Sequence, residues 1–178
     1  MSSYITTHNS KGEAIFSDKV TNSPPKLAFV PGRQDLGYQQ IIYDSDILRP
    51  DLSHEGDIDT YAERRHKGYP QGQIGPANGP NFGLVTMCAG GSSPFHRTMT
   101  LDAIYVTEGE VELHLDSGEM KVVKAGDSVV QRGTMHKWVN VTPNGGQMKM
   151  VTMAQPIANG GPIVVGGEKL ETEWKARS

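Results

Sequence analysis

His96, Thr98, Thr100 and Asp102 fall at every second position of the run Pro94-Phe95-His96-Arg97-Thr98-Met99-Thr100-Leu101-Asp102. On one continuous strand this spacing puts all four side chains on the same face. A second imidazole, His136, lies in Gln131-Arg132-Gly133-Thr134-Met135-His136-Lys137-Trp138-Val139-Asn140. An imidazole titrates near neutrality and moves protons in either direction. A carboxylate beside it orients the ring and stabilises its charged form. His96 and His136 are therefore read as acid and base, with Asp102 orienting one of them. The same three groups form a two-histidine, one-carboxylate set, an arrangement suited to Fe(II). Polar groups inside an apolar shell are costly unless partnered, which makes this cluster the candidate active site.

Short strands must position these residues. Phe82–Ala89, Ala103–Thr107, Glu110–Leu115, Met120–Lys124, Ser128–Gln131, His136–Val141 and Met148–Ala154 read as strands. Asp116-Ser117-Gly118, Ala125-Gly126-Asp127 and Pro143-Asn144-Gly145-Gly146 are turns between them. Strands so closely and evenly spaced predict a β-sandwich or barrel. Glu110–Leu115 alternates, with Val111, Leu113 and Leu115 facing in and the acids and His114 facing out. Upstream, Tyr4–Phe16 reads as a hairpin around Asn9-Ser10-Lys11-Gly12, and Lys26–Val30 and Gly37–Tyr43 as strands. Residues 44–81 are polar and proline-rich. They read as a long loop and candidate lid, with a short helix over Asp57–Arg65 capped by Asp57 or Asp59. Glu168–Ala176 reads as a second short helix, with Leu170 and Trp174 one turn apart.

The two chemistry-bearing stretches resemble the two motifs of the cupin superfamily. His96 occupies the first histidine position and Asp102 the glutamate position, with Gly109 seven residues on. Gly126, Gly133, His136 and Asn140 fill the second motif. Three residues depart from the pattern: Thr98 stands for the second histidine, Asp102 for glutamate and Gln131 for proline. The likeness covers residues 82–154. Within the superfamily, the His-Arg-Thr start, the Gln-Arg-Gly-Thr-x-His-x-Trp-x-Asn run and the Thr-x-His-Asn-x-x-Gly-x-Ala hairpin are similar to small single-domain cupins. Those small cupins occur in fungal and bacterial natural-product clusters. The resemblance implies an all-β, antiparallel jelly-roll barrel with an N-terminal strand extension and short peripheral helices. It implies one domain over 1–178, divided into N-terminal strands (1–43), the long loop (44–81), the barrel core (82–154) and a C-terminal tail (155–178). Small cupins pair through added strands, so a homodimer is implied as well.

Cupins that hold Fe, Mn, Ni or Zn typically offer three imidazoles and a carboxylate, and Thr98 removes one imidazole here. No cofactor is therefore required in the favoured reading, and a divalent metal such as Fe(II), Mn or Zn on His96, Asp102 and His136 is the alternative. The expected function is an acid–base lyase, isomerase or cyclase of secondary metabolism, acting by dehydration, decarboxylation or ring closure. Its substrate would be a polyketide-like or aromatic molecule in the barrel cavity. Thr98, Thr100, Trp138, Met148 and Met150 are expected to bind that substrate, because methionine and aromatic walls suit a greasy ligand. The alternatives are a metal-dependent oxygenase and a non-catalytic small-molecule-binding cupin.

The remaining candidates have simpler readings. Arg97 and Arg132 are expected to face out or pair with acids. His8, His54, His66 and His114 are expected to be solvated, although His66, Tyr61 and Tyr69 would reach the pocket mouth if the long loop folds over it. Cys88 reads as a small buried apolar residue. Across 178 residues, 17 basic against 20 acidic side chains give a net charge of -3 and no basic patch for nucleic acid. No apolar run approaches a membrane span. The N-terminal stretch lacks the pattern of a secretory signal, and a single cysteine fits a reducing compartment, so a cytoplasmic location is expected.

Overall fold

The computed structural model describes residues 2–20, 23–29, 32–69, 78–157 and 162–175. In chain order the elements are β1 (Thr6–His8), β2 (Ala14–Phe16), β3 (Leu27–Ala28), β4 (Gly37–Asp44), α1 (Gly56–Lys67), β5 (Asn81–Met87), β6 (His96–Arg97) and β7 (Thr100–Glu108). They continue as β8 (Glu110–Leu115), β9 (Met120–Lys124), β10 (Ser128–Arg132), β11 (His136–Asn140), β12 (Met148–Pro156), β13 (Ile163–Val165), β14 (Glu168–Leu170) and β15 (Glu173–Trp174). A six-stranded sheet has the order β10-β7-β12-β5-β4-β3, and a five-stranded sheet the order β15-β6-β11-β8-β9. Consecutive strands repeatedly land in different sheets, and every pairing is antiparallel: a jelly-roll barrel, as the cupin resemblance implies.

The core fills the space between the sheets. Val85, Met87, Ile104, Val106, Met148 and Met150 come from the six-stranded sheet, and Val111, Val123 and Trp138 from the other. On β8, Val111 is fully buried and Leu113 packs beside it, as their alternation requires. Between β7 and β8 a single residue, Gly109, bends the chain from one sheet into the other with φ 76°. A Cβ there would press into Thr142 Oγ1 and the Gln147 carbonyl, so the turn needs glycine. Asn140 fastens the barrel's edge: its amide donates to the Met87, Cys88 and Gly146 carbonyls at 3.1, 2.9 and 2.9 Å, and its oxygen accepts from Thr142 N at 2.9 Å.

Two sequence expectations need correction. The helix in the long loop runs over Gly56–Lys67, and its cap position is Glu55 with no side-chain cap bond. Asp57 and Asp59 are engaged elsewhere, Asp57 accepting from Tyr43 Oη and Asp59 pairing with Lys19. The helix α1 packs Ile58 and Tyr61 against Ile41 and Val20, forming a second small core, and Tyr61 donates to the Ile41 carbonyl at 2.7 Å. Arg64 and Tyr69 both bind the fully buried Asp44. In the tail, the expected helix over Glu168–Ala176 is not formed from Glu168 to Lys175, and Ala176 lies outside the described residues. Gly166 and Gly167, at φ 60° and 86°, turn β13 back onto β14. Trp174 then lies opposite His96 as an edge strand, and Lys175 N donates to the Phe95 carbonyl at 2.8 Å. Backbone pairing to a waiting strand edge prevails over the four-residue spacing of Leu170 and Trp174.

Candidate functional site

The two motifs meet at one cavity of about 510 Å³ between the sheets. On the five-stranded sheet, β6 and β11 set His96 directly opposite His136, with ring centroids 4.2 Å apart and planes tilted by 54°. The segment before β6 is stitched to β11: Ser93 N donates to the Trp138 carbonyl and Trp138 N to Ser93 Oγ, both at 2.9 Å. That pairing fixes the histidine register. Trp138 meets His136 edge-on, and Trp174 stacks on His96 at 4.5 Å with planes 7° apart.

The stretch from His96 to Asp102 is not one continuous strand. It breaks after Arg97, where the chain leaves the five-stranded sheet, and resumes at Thr100 in the six-stranded one. Thr98 and Thr100 bridge this corner with a 2.8 Å hydroxyl contact. Asp102 consequently faces the cavity from the other sheet, directly across from Gln131 in the β7–β10 register. So His96, His136 and Asp102 share the cavity but stand on walls contributed by different sheets.

This placement revises the expected role of Asp102, which orients neither imidazole. His96 Nδ1–H donates to the Pro94 carbonyl at 3.0 Å, and His136 Nδ1–H to the Thr134 carbonyl at 2.9 Å. A carbonyl only accepts, so in each neutral ring Nε2 carries the lone pair. Burial pushes both imidazoles below their ordinary range. His136, also repelled by His96, falls to about 4 although its bond to Thr134 opposes the shift. Burial pushes the Asp102 carboxyl up to about 6, against a hydrogen bond from Thr100. At neutral pH the histidines are therefore neutral acceptors, and Asp102 sits within reach of both its charge states.

The remaining expectations divide. Thr98, Trp138 and Met150 line the cavity. Thr100 stands behind Thr98, and Met148 is fully buried in the core at the Met87 end of β12, so neither belongs to the wall. Tyr69 lines the cavity. Tyr61 is buried on the inner face of α1, and His66 lines a separate hollow of about 370 Å³ with Lys19 and Arg65. Arg97 pairs with Glu173, and His114 with Glu112. Cys88 is half-buried. Sequence reasoning missed Gln39, Asn81, Gln131 and Trp174 on the wall. The donors present form no compact metal-ligand cluster among the described residues. Thr98 supplies no imidazole, and among the described residues no three His, Cys, Asp or Glu side chains stand close enough together to hold one ion.

The model of the family described as Cupin domain matches residues 83–153. Phomopsin biosynthesis cluster protein D of Diaporthe leptostromiformis is 35% identical over 165 residues, which is 92% of this chain and 84% of that protein. The cupin-domain-containing oxidoreductase fogC of Aspergillus ruber is 31% identical, over 94% of this chain and 77% of its own. Among solved structures, the polyketide cyclase RemF from Streptomyces resistomycificus aligns at TM-score 0.48 and 16% identity, over 87% of this chain and 82% of that one. No helix among the described residues is long and apolar enough to cross a membrane.

Proposed function

This chain belongs to the cupin family, and on that premise we propose that it is a small-molecule enzyme of secondary metabolism working by acid–base chemistry in its barrel cavity. The setting follows the relatives, which are named for fungal biosynthesis clusters. One observation carries the chemistry: two neutral imidazoles with free Nε2 lone pairs share a cavity with a carboxyl at about 6. The step common to a lyase, isomerase or cyclase of this kind is enolisation. The Nε2 of His96 or His136 takes a proton from carbon beside a carbonyl, and the C–H electron pair becomes the new C=C bond. The carbonyl π pair moves to oxygen, which takes the proton of Asp102. Water loss, decarboxylation or ring closure then proceeds from the enol.

Both partners must start in the right state, so the pH dependence has a definite sign. The imidazole must be neutral, and activity is lost as pH falls through a midpoint below the ordinary 6.5. Asp102 must be protonated, and activity is lost as pH rises through about 6. A model substrate supplies the measurement: exchange of the C1 protons of 2-tetralone in deuterated buffer, followed by NMR. A bell-shaped kcat/KM with these limbs, unchanged by EDTA, is the expected result. A rate that climbs past pH 8 contradicts the assignment. Binding without exchange would favour a non-catalytic binding cupin. The relatives named as oxidoreductases favour a second reading, a redox step. Stoichiometric iron in the purified protein, with activity abolished by chelation, would select it.

The same proposal includes a homodimer. The N-terminal hairpin leaves Tyr4, Ile15 and Phe16 exposed, and the outward face of the six-stranded sheet leaves Tyr105, Val130 and Val151 exposed. Apolar surface of this extent commonly marks a protein contact.

A further inference from the structure

Among the described residues lining the cavity, two buried polar atoms have no hydrogen-bond partner: Gln131 Nε2, a donor, and Asp102 Oδ1, an acceptor. Gln131 is 4% exposed. The two residues stand directly opposite each other on β10 and β7, on the same face, within the reach of cross-strand neighbours. Despite that proximity they do not bond to each other. A buried donor and a buried acceptor left open side by side, on a wall shared with Phe29, Val85, Ile104 and Met150 as well as Gln39, Asn81 and Thr152, are a recognition pair awaiting a ligand.

We propose that Gln131 is a specificity-determining residue that, with Asp102, selects ligands carrying an enolic or phenolic hydroxyl on a flat apolar ring. A hydroxyl satisfies both orphans at once: its oxygen accepts from Gln131 Nε2–H, and its proton is donated to Asp102 Oδ1. An ether satisfies only the first, and a hydrocarbon neither. The proposal rests on the acid–base reading, in which this oxygen is the one that becomes the enol. Gln131 holds it, and so favours the enol over the ketone.

Equilibrium dialysis with 2-naphthol and its methyl ether, 2-methoxynaphthalene, tests this without any turnover. 2-Naphthol mimics the enol of 2-tetralone. The wild-type protein is expected to bind the naphthol at least about tenfold more tightly than the ether, a cautious fraction of the selectivity that buried hydrogen-bonding sites achieve. Gln131→Leu removes the contact that both oxygens share, so it should weaken the naphthol and the ether alike by about fivefold or more, while naphthalene, which makes neither contact, binds within about threefold of wild type and the naphthol-over-ether preference, which rests on Asp102, persists. The unfolding midpoint of the empty variant should equal or exceed the wild-type value, because the change removes an unpaired buried donor. Gln131→Met, measured alongside, guards against a packing fault specific to leucine. Unchanged affinity for both the naphthol and the ether in both variants, equal binding of the two compounds by the wild type, binding of neither, or a lowered midpoint in both variants each overturns the proposal. Failure of the acid–base reading looks different: hydroxyl preference persists while the histidine variants leave proton exchange unchanged.

Discussion

His136→Ala is expected to slow enzyme-catalysed proton exchange at 2-tetralone by about 10²-fold or more, the usual contribution of a positioned general base. His96→Ala should do the same if the two rings act as a unit, because His96 tunes His136. They stand 4.2 Å apart, and His96 helps to hold His136 down at about 4. The double variant then loses little beyond either single change, as groups acting together are far from additive. Binding of 2-naphthol should survive in all three, because its hydroxyl contacts lie on the other sheet. Retained binding with lost exchange separates a chemical role from a packing one. An unchanged exchange rate in His136→Ala removes it from the mechanism.

Asp102→Asn should raise stability while it lowers activity. Asp102 has a folded-state value of about 6, above the ordinary 3.8. The folded protein therefore binds this proton more tightly than the unfolded chain does. The stabilisation linked to that proton is complete below about 3.8 and is lost as pH rises through about 6. Above that, the ionised carboxylate costs the fold about 2–3 kcal/mol, since every tenfold change in proton affinity is worth about 1.4 kcal/mol. A neutral amide of the same shape avoids this cost. Urea unfolding should show the variant more stable than wild type by about that amount at pH 8, with the difference vanishing near pH 3.5. Exchange should fall at least about tenfold, since the proton donor to oxygen is gone. Equal stability at pH 8 would mean that Asp102 carries no burial penalty. A site held at the expense of stability is a familiar mark of function.

Much of this was legible in the residues. Alternation in Glu110–Leu115 assigned its buried face correctly, and the motif spacing brought His96, His136 and Asp102 to one cavity. The corner at Thr98–Met99 was not legible. A period of two looks the same whether a strand continues or crosses to the other sheet, so a same-face reading became a two-wall site. The orientation of the imidazoles was hidden as well, since the carbonyls of Pro94 and Thr134 carry no side-chain signature. Gln131 was visible only as a departure from the expected proline. Its position opposite Asp102, which gives it meaning, depends on strand register. Trp174 was missed for a different reason: its spacing from Leu170 mimics a helical turn, while the Gly166-Gly167 signal for a tight hairpin was the stronger one.

The mechanism rests on two neutral, Nδ1-protonated imidazoles that share a cavity with a carboxyl titrating near neutrality. Side-chain NMR of protein labelled at histidine and aspartate reads all three groups directly across pH 4–8. His96 and His136 are both expected to show a protonated Nδ1 and a bare Nε2 at pH 7. His136 should stay neutral down to about 4, and the Asp102 carboxyl should titrate near 6. A charged imidazole at pH 7, an Nε2–H tautomer in both rings, or an Asp102 that titrates in the ordinary carboxylate range would contradict this mechanism.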